Sequence, residues 1–133
     1  MIVTKELKKL FQQLLQNEHA HITVGATDIT IRIFDKATLF SLATEVYFGG
    51  NFIPKSVRAS AEKPATFARG GIKTFLTIDE KAFKIYLNYM GRLDNMNNEG
   101  FRLLLEDFSW LAEQWRLYLD KHDKNDLIHV RVK

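Results

Sequence analysis

The stretch from Asn97 to Lys121 limits the possible folds of this chain most, because it predicts a long helix with two apolar faces. Its apolar residues recur at three- and four-residue steps, which places them on one broad, core-facing side of a helix. These residues are Phe101, Leu104, Leu105, Phe108, Leu111, Ala112, Trp115 and Leu119. Leu103, Trp110 and Leu117 recur every seven positions on the nearly opposite side, which water would otherwise cover. This second stripe predicts a second packing partner, from the same chain or from another.

Three other segments have clear periodicity. Thr4 can cap a first helix that ends near Asn17, with Leu7, Leu10, Phe11, Leu14 and Leu15 on one side. Two short strands follow, because Ile22 and Val24, and then Ile29, Ile31 and Ile33, alternate with polar residues around a turn. The segment from Ile72 to Met90 predicts a β-hairpin that turns at Asp79 to Lys81. A hairpin needs a covering layer, so we expect the long helix to pack on it.

Three segments are harder to interpret. The apolar residues of Thr38 to Phe48 fit both a helix and a strand, and the glycines at 49 and 50 favour the helix slightly. Between Asn51 and Gly71, two prolines and two glycines leave room for at most one short strand, around Ser56 to Ser60. Alternation from Asp126 to Lys133 predicts a terminal strand after the long helix.

Together these elements predict one α+β domain over residues 1–133, an antiparallel sheet with an N-terminal helix and a long C-terminal amphipathic helix packed on it. The chain has no cysteine, which excludes disulfides and thiolate chemistry and suits a reducing compartment. Its N-terminus is charged where a signal peptide would be apolar, and no apolar run is long enough to cross a membrane. We therefore expect a cytoplasmic protein with no membrane partner.

The net charge of +3 is unevenly distributed. Between Gly49 and Phe75, five basic residues face only Glu62, whereas acidic residues outnumber basic ones from Asp94 to Asp126. The five are Lys55, Arg58, Lys63, Arg69 and Lys73. They form either a basic patch for nucleic acid or another acidic partner, or an ordinary solvated loop.

No pattern in the chain predicts catalysis. His19 and His21 would share one face of a strand, but no third metal ligand accompanies them, so we interpret them as surface histidines. Adjacent carboxylates such as Glu106 and Asp107 diverge and do not form an acid/base pair. The glycines and basic residues of Ala68 to Lys73 match no phosphate-binding spacing. We expect no enzymatic activity, no cofactor and no metal.

The order of elements, the chain length and the helix from Phe101 to Leu119 resemble the small type III secretion chaperones of the CesT and SycE class, including chaperones of gatekeeper proteins of the chlamydial type. The resemblance covers roughly Thr4 to Leu119. It implies a cytoplasmic, usually dimeric α+β protein that holds an extended segment of a secreted partner along apolar patches. Some of these chaperones form heterodimers, and one chlamydial member is thought also to regulate RNA polymerase. The positive net charge and the basic segment depart from the usual pattern of the class.

Two functions are therefore predicted. The first is a non-enzymatic chaperone or adaptor that binds a secreted effector or gatekeeper protein and forms a homodimer or heterodimer. Leu103, Trp110 and Leu117 are its expected interface residues, since a tryptophan in an apolar stripe is typical of interface anchors. The competing interpretation is that these three residues pack against the first helix or the Thr38 to Phe48 segment. The alternative function is a transcription regulator that contacts RNA polymerase or nucleic acid through residues 55–73.

Overall fold

A computed structural model describes the backbone of residues 4–36, 38–62, 67–94 and 96–132, and the side chains between Lys5 and Lys121 within these ranges. The elements run in the order α1 (Thr4–Asn17), β1 (His19–Val24), β2 (Thr27–Phe34), β3 (Leu39–Phe48), α2 (Lys55–Ala61), β4 (Thr74–Asp79), β5 (Lys84–Arg92) and α3 (Asn98–Val132). The predicted α+β class is confirmed. The first helix, the two short strands and the hairpin also occur where the sequence predicts them.

The five strands form one antiparallel sheet in the order β1-β2-β3-β5-β4. Alternate side chains of each central strand are buried on the helix-covered face, as the period of two requires. Their neighbours, such as Arg32, Glu45 and Met90, lie exposed on the other face. β1 and β4 are the two edge strands of this sheet.

Aromatic rings connect the helices to the centre of the sheet. The ring centroid of Phe101, on α3, lies 5.3 Å from that of Phe11 on α1 and 5.4 Å from that of Phe40 on β3. Phe40 in turn contacts Tyr89 on β5, at 5.8 Å. Phe40 and Phe101 are fully buried. Tilted pairs of this kind add to the energy of apolar burial, so both helices are fixed on the sheet through one cluster.

The segment 38–48, which fitted both a helix and a strand with a slight preference for the helix, contains the central strand β3. This strand pairs with β2 on one side and β5 on the other, with an irregularity between Glu45 and Tyr47. Phe40, Leu42, Thr44 and Val46 alternate into the core. Pairing on both edges and burial of one face outweigh the end signals of the two glycines.

The predicted strand near Ser56 to Ser60 is also wrong, since α2 occupies this position. Pro54, with φ −59° and ψ 152°, precedes the helix, and its carbonyl accepts a hydrogen bond from the Arg58 N–H at 3.0 Å. Proline is compatible with a helix start because no N–H is needed there. Val57 and Ser60 are buried, and α2 packs against α3.

The long helix differs from its prediction in two ways. It continues to Val132, so the predicted terminal strand is wrong. No glycine or proline follows Gly100, and nothing else in the sequence stops a helix there. The helix also packs mainly against β3 and α2, with smaller contacts to β2 and β1, and it meets the hairpin less extensively, where Trp115 lies beside Leu76 and Leu87. The hairpin sits to one side because β5 pairs with β3 and places β4 at the sheet edge.

Candidate partner-binding surfaces

The second apolar stripe of α3 is only partly covered. Leu103 is 51% exposed and Leu117 is 62% exposed, whereas Trp110, midway between them, is half-buried. The two leucines are 14 residues apart, or about 21 Å at the rise of an α-helix. The stripe therefore consists of two exposed apolar ends and a covered centre.

A loop of the same chain covers Trp110. The Arg69 guanidinium lies 4.9 Å from the centre of the Trp110 ring, and the Arg69 Nε donates a hydrogen bond to Asp107 Oδ1 at 3.0 Å. Asp107 and Trp110 lie three residues apart and are neighbours on the helix surface. Trp110 therefore packs against Arg69 of its own chain, a residue that the competing interpretation did not name. We call residues 67–71 the strap.

The strap is also attached to the core side of α3. Phe67 makes edge contacts with Trp115 and Tyr118, at ring-centroid distances of 5.2 and 5.5 Å. Gly70 and Gly71 follow with positive φ values of 65° and 72°, which turn the chain toward β4. The strap therefore contacts α3 at two points, through the aromatic ring of Phe67 and the guanidinium of Arg69.

The predicted basic patch does not present all its charges to solvent. Arg58 donates two hydrogen bonds to the Glu80 carboxylate, at 2.6 and 3.0 Å. This bond raises the pKa of Arg58 and lowers the pKa of Glu80. Arg69 is bound to Asp107 as described above. Lys55 and Lys73 are exposed and have no ion pair within the described residues, and Lys63 lies outside the described residues.

A further surface, which the sequence did not predict, is the free edge of β1. The Ile33 N–H donates to the Glu18 carbonyl at 2.9 Å, so hydrogen-bonded pairs alternate along β1 and β2 from this position. The backbone groups of Ala20, Ile22 and Val24 therefore face β2. Those of His19, His21 and Thr23 point away from the sheet. An extended segment of another protein can pair with them.

Beside this edge, α1 and β1 enclose a shallow groove of about 320 Å³. It is lined by Glu6, Lys9, Leu10, Gln13, His21, Ile22 and Thr23. Leu10 and Ile22 supply apolar surface among polar side chains, so the groove can accept the side chains of a paired strand. The sequence did not predict this site, because which strand lies at an edge depends on the strand order of the sheet.

The described residues contain no group of three or more His, Cys, Asp or Glu side chains arranged to hold a metal ion. The His21 Nδ1 instead lies 3.2 Å from the Thr30 hydroxyl, and the His19 Nδ1 lies 3.0 Å from the Asn17 carbonyl. No described helix is both long enough and apolar enough to cross a membrane.

Neither a protein-family model nor a curated protein matches the chain. Solved structures do match it. In the ExoT–SpcS complex from Pseudomonas aeruginosa, the matching chain has 15% identity and a TM-score of 0.56, with 85% of this chain and 98% of that chain covered. In the ExsC–ExsE complex the identity is 17% and the TM-score 0.62, with 89% and 96% covered. In the HopA1–SchA chaperone–effector complex the identity is 14% and the TM-score 0.56, with 86% of this chain and 98% of the matching chain covered.

This chain has the fold of a type III secretion chaperone. The matches span 85–89% of this chain and nearly the whole of each solved chain, so they rest on most of the fold. The resemblance drawn from element order is thereby confirmed for the fold.

Proposed function

We propose that this protein is a non-enzymatic, cytoplasmic chaperone that binds a segment of a secreted partner protein for type III secretion. One observation carries the proposal: the fold is shared with chains of solved complexes, one of which is described as a chaperone with its effector. The edge of β1 supplies a physical means of binding, because no strand in the described part of the chain pairs with it and it runs next to a groove.

The binding mode follows from the direction of the backbone groups. A partner segment in extended conformation pairs with His19, His21 and Thr23 and adds a sixth strand beside β1. Its alternate side chains then enter the groove against Leu10 and Ile22. Backbone pairing supplies affinity with little dependence on sequence, and the groove supplies selectivity.

A proline at position 21 tests this mode. His21→Pro removes the outward N–H, while the hydrogen bonds of Ala20 and Ile22 to β2 remain, and edge strands tolerate proline. His21→Val is the matched control, because it loses the same imidazole and keeps the N–H. We expect His21→Val to co-purify the secreted partner from the native host as the wild type does, and His21→Pro to lose most of it.

Two results would contradict the proposal. If no substrate of the secretion apparatus co-purifies with the wild type, the chaperone function is wrong. If His21→Pro retains the partner as well as His21→Val does, the chaperone function stands and the β1 edge is not its site. Circular dichroism of both variants checks that the fold is intact.

The proposal includes association with another protein chain, as a homodimer or heterodimer, through the exposed part of the α3 stripe. Leu103 and Leu117 support it because both are exposed leucines on one side of a helix. Trp110 contributes less exposed area, since the strap covers it. Sedimentation of the Leu103→Ser/Leu117→Ser variant tests this role, and an oligomer unchanged from the wild type would contradict it.

The alternative function, regulation of transcription through residues 55–73, remains a prediction from the sequence. Arg58 and Arg69 are engaged by carboxylates of the same chain, so fewer charges are available to phosphates than the sequence suggests. Binding to nucleic acid at low salt, lost when Lys55 and Lys73 are replaced, would favour it.

A further inference from the structure

The outward side of α3 carries a regular alternation of apolar and acidic side chains. Leu103, Glu106, Trp110, Glu113 and Leu117 follow one another at three- and four-residue steps and fall within a sector of about 80°. We call this set the outer α3 face. The neighbours of α3 are β3, α2, β2 and β1, and they leave Leu103, Glu113 and Leu117 exposed. It is therefore an amphipathic surface with a negative charge.

The two glutamates of this face are not neutralised by an ion pair in the described part of the chain. Arg102 acts on Glu106 through its charge, but its hydrogen bonds go to Glu99. Arg116 donates to the Thr27 hydroxyl at 2.9 Å, on the side toward the sheet. Glu106 and Glu113 are seven residues apart, or about 10 Å along the axis. They can each receive a basic side chain from outside.

The strap shows within the molecule which chemistry this helix surface accepts. Arg69 lies on the indole of Trp110 and donates to the carboxylate of Asp107, so an apolar ring and an acid together hold one guanidinium. The same pairing of an apolar and an acidic side chain recurs on either side, as Leu103 with Glu106 and Leu117 with Glu113. Arg69 reaches neither of these pairs.

We propose that the outer α3 face binds a basic amphipathic helix of a partner protein, with Arg or Lys side chains seven residues apart on Glu106 and Glu113 and apolar side chains on Leu103 and Leu117. A spacing of seven residues on both helices brings the charges into register when the axes are nearly parallel or antiparallel. This inference rests on the proposed role of α3 in association and specifies its chemistry.

The test uses a designed 21-residue helical peptide with two arginines seven residues apart and leucines on the same side, labelled for fluorescence anisotropy. A control peptide carries glutamate in place of both arginines. The full chain is compared with Glu106→Gln/Glu113→Gln, which removes the charges, and with Leu103→Ser/Leu117→Ser, which removes the apolar contacts. All four leucine and glutamate positions are on the protein surface, and circular dichroism confirms the fold of each variant.

We expect the wild type to bind the arginine peptide and not the glutamate peptide. The glutamine variant should bind about threefold to tenfold more weakly, as expected for two exposed ion pairs, and added salt should reduce this difference. The serine variant should also bind more weakly.

Other outcomes separate the inference from the proposal on which it rests. If the serine variant loses binding and the glutamine variant does not, the outer α3 face binds a partner but its charge does not select that partner. The inference of a basic helix is then overturned, and the proposed role of α3 in association stands. If neither variant differs from the wild type, or the wild type does not bind, both are overturned for this face. If sedimentation shows that the wild type and the glutamine variant are dimers and the serine variant is a monomer, a second copy of the chain occupies the outer α3 face. The basic helix is then excluded.

Discussion

Replacing Gly70 by alanine should loosen the strap, whereas the same change at Gly71 should not. Both residues have positive φ, at 65° and 72°, so both substitutions carry a similar backbone cost. Their surroundings differ. A Cβ at position 70 would lie 2.2 Å from Asp107 Oδ2, while a Cβ at position 71 meets nothing within 4 Å. Gly71→Ala is therefore a matched control for Gly70→Ala.

The size of the difference follows from what Asp107 must give up. Its carboxylate can rotate away from the new methyl group, but it then loses the hydrogen bond from Arg69, and Arg69 loses its position on Trp110. Arg69 is 48% exposed, so solvent weakens its ion pair with Asp107. The ion pair therefore contributes little to the free energy of unfolding, as is usual for exposed pairs. The cation–π contact adds a contribution of similar size. We expect Gly70→Ala to lower the free energy of unfolding by about 1 kcal/mol more than Gly71→Ala does.

Urea unfolding followed by tryptophan fluorescence measures this difference, since Trp110 and Trp115 both lie near the strap. The two substitutions are repeated in an Asp107→Ala background, where the carboxylate is absent. There the extra cost of Gly70→Ala should vanish. Equal costs at positions 70 and 71, or an extra cost that persists without Asp107, would refute the assignment of the strap contact.

Two further predictions concern the surface. The Leu103→Ser and Leu117→Ser substitutions should each change the free energy of unfolding by no more than about 0.5 kcal/mol, because both side chains are exposed. Leu111→Ala, on the buried side of the same helix, should cost about 2–5 kcal/mol, and urea unfolding compares them. Arg58→Gln should raise the pKa of Glu80 toward its usual range, measured by carbon-detected NMR titration. Because folding lowers the pKa of Glu80, the ion pair stabilises the folded state at pH values above the unfolded-state pKa. This stabilisation is lost as the pH falls through the folded-state pKa.

The sequence predicted those elements whose periodicity agrees with their packing. In α1 and α3 the core-facing apolar residues lie on one broad side of the helix. Apolar and polar residues alternate along the strands from His19 to Phe34 and along the hairpin. β3 stayed ambiguous in the sequence because a central strand is determined by pairing with β2 and β5, which no local pattern encodes. α2 was missed because Pro54 and the neighbouring glycines mask a helix of only seven residues.

The candidate site was predictable only in part. The heptad spacing of the α3 stripe showed that a second partner was needed, and the structure places one at its centre. That partner is the strap, which comes from a segment 38 residues away from Asp107 in the chain. Long-range contacts of this kind have no signal in one sequence. The Arg69 that appeared to belong to a basic patch is the residue that makes the contact.

The covered centre of the stripe changes which residue best reports on partner binding. Trp110 has the largest side chain of the three, but replacing it removes the surface on which Arg69 rests, so any loss of binding would mix a local change of the strap with a change of the interface. Half or more of each of Leu103 and Leu117 is exposed, and the aromatic, cation–π and hydrogen-bond contacts of the strap are with other residues of α3. A binding defect in these two positions, with unfolding unchanged, therefore measures the interface itself. The same reasoning separates Glu106 and Glu113 from Asp107, because among the described residues Asp107 forms an ion pair with Arg69 and the two glutamates form none.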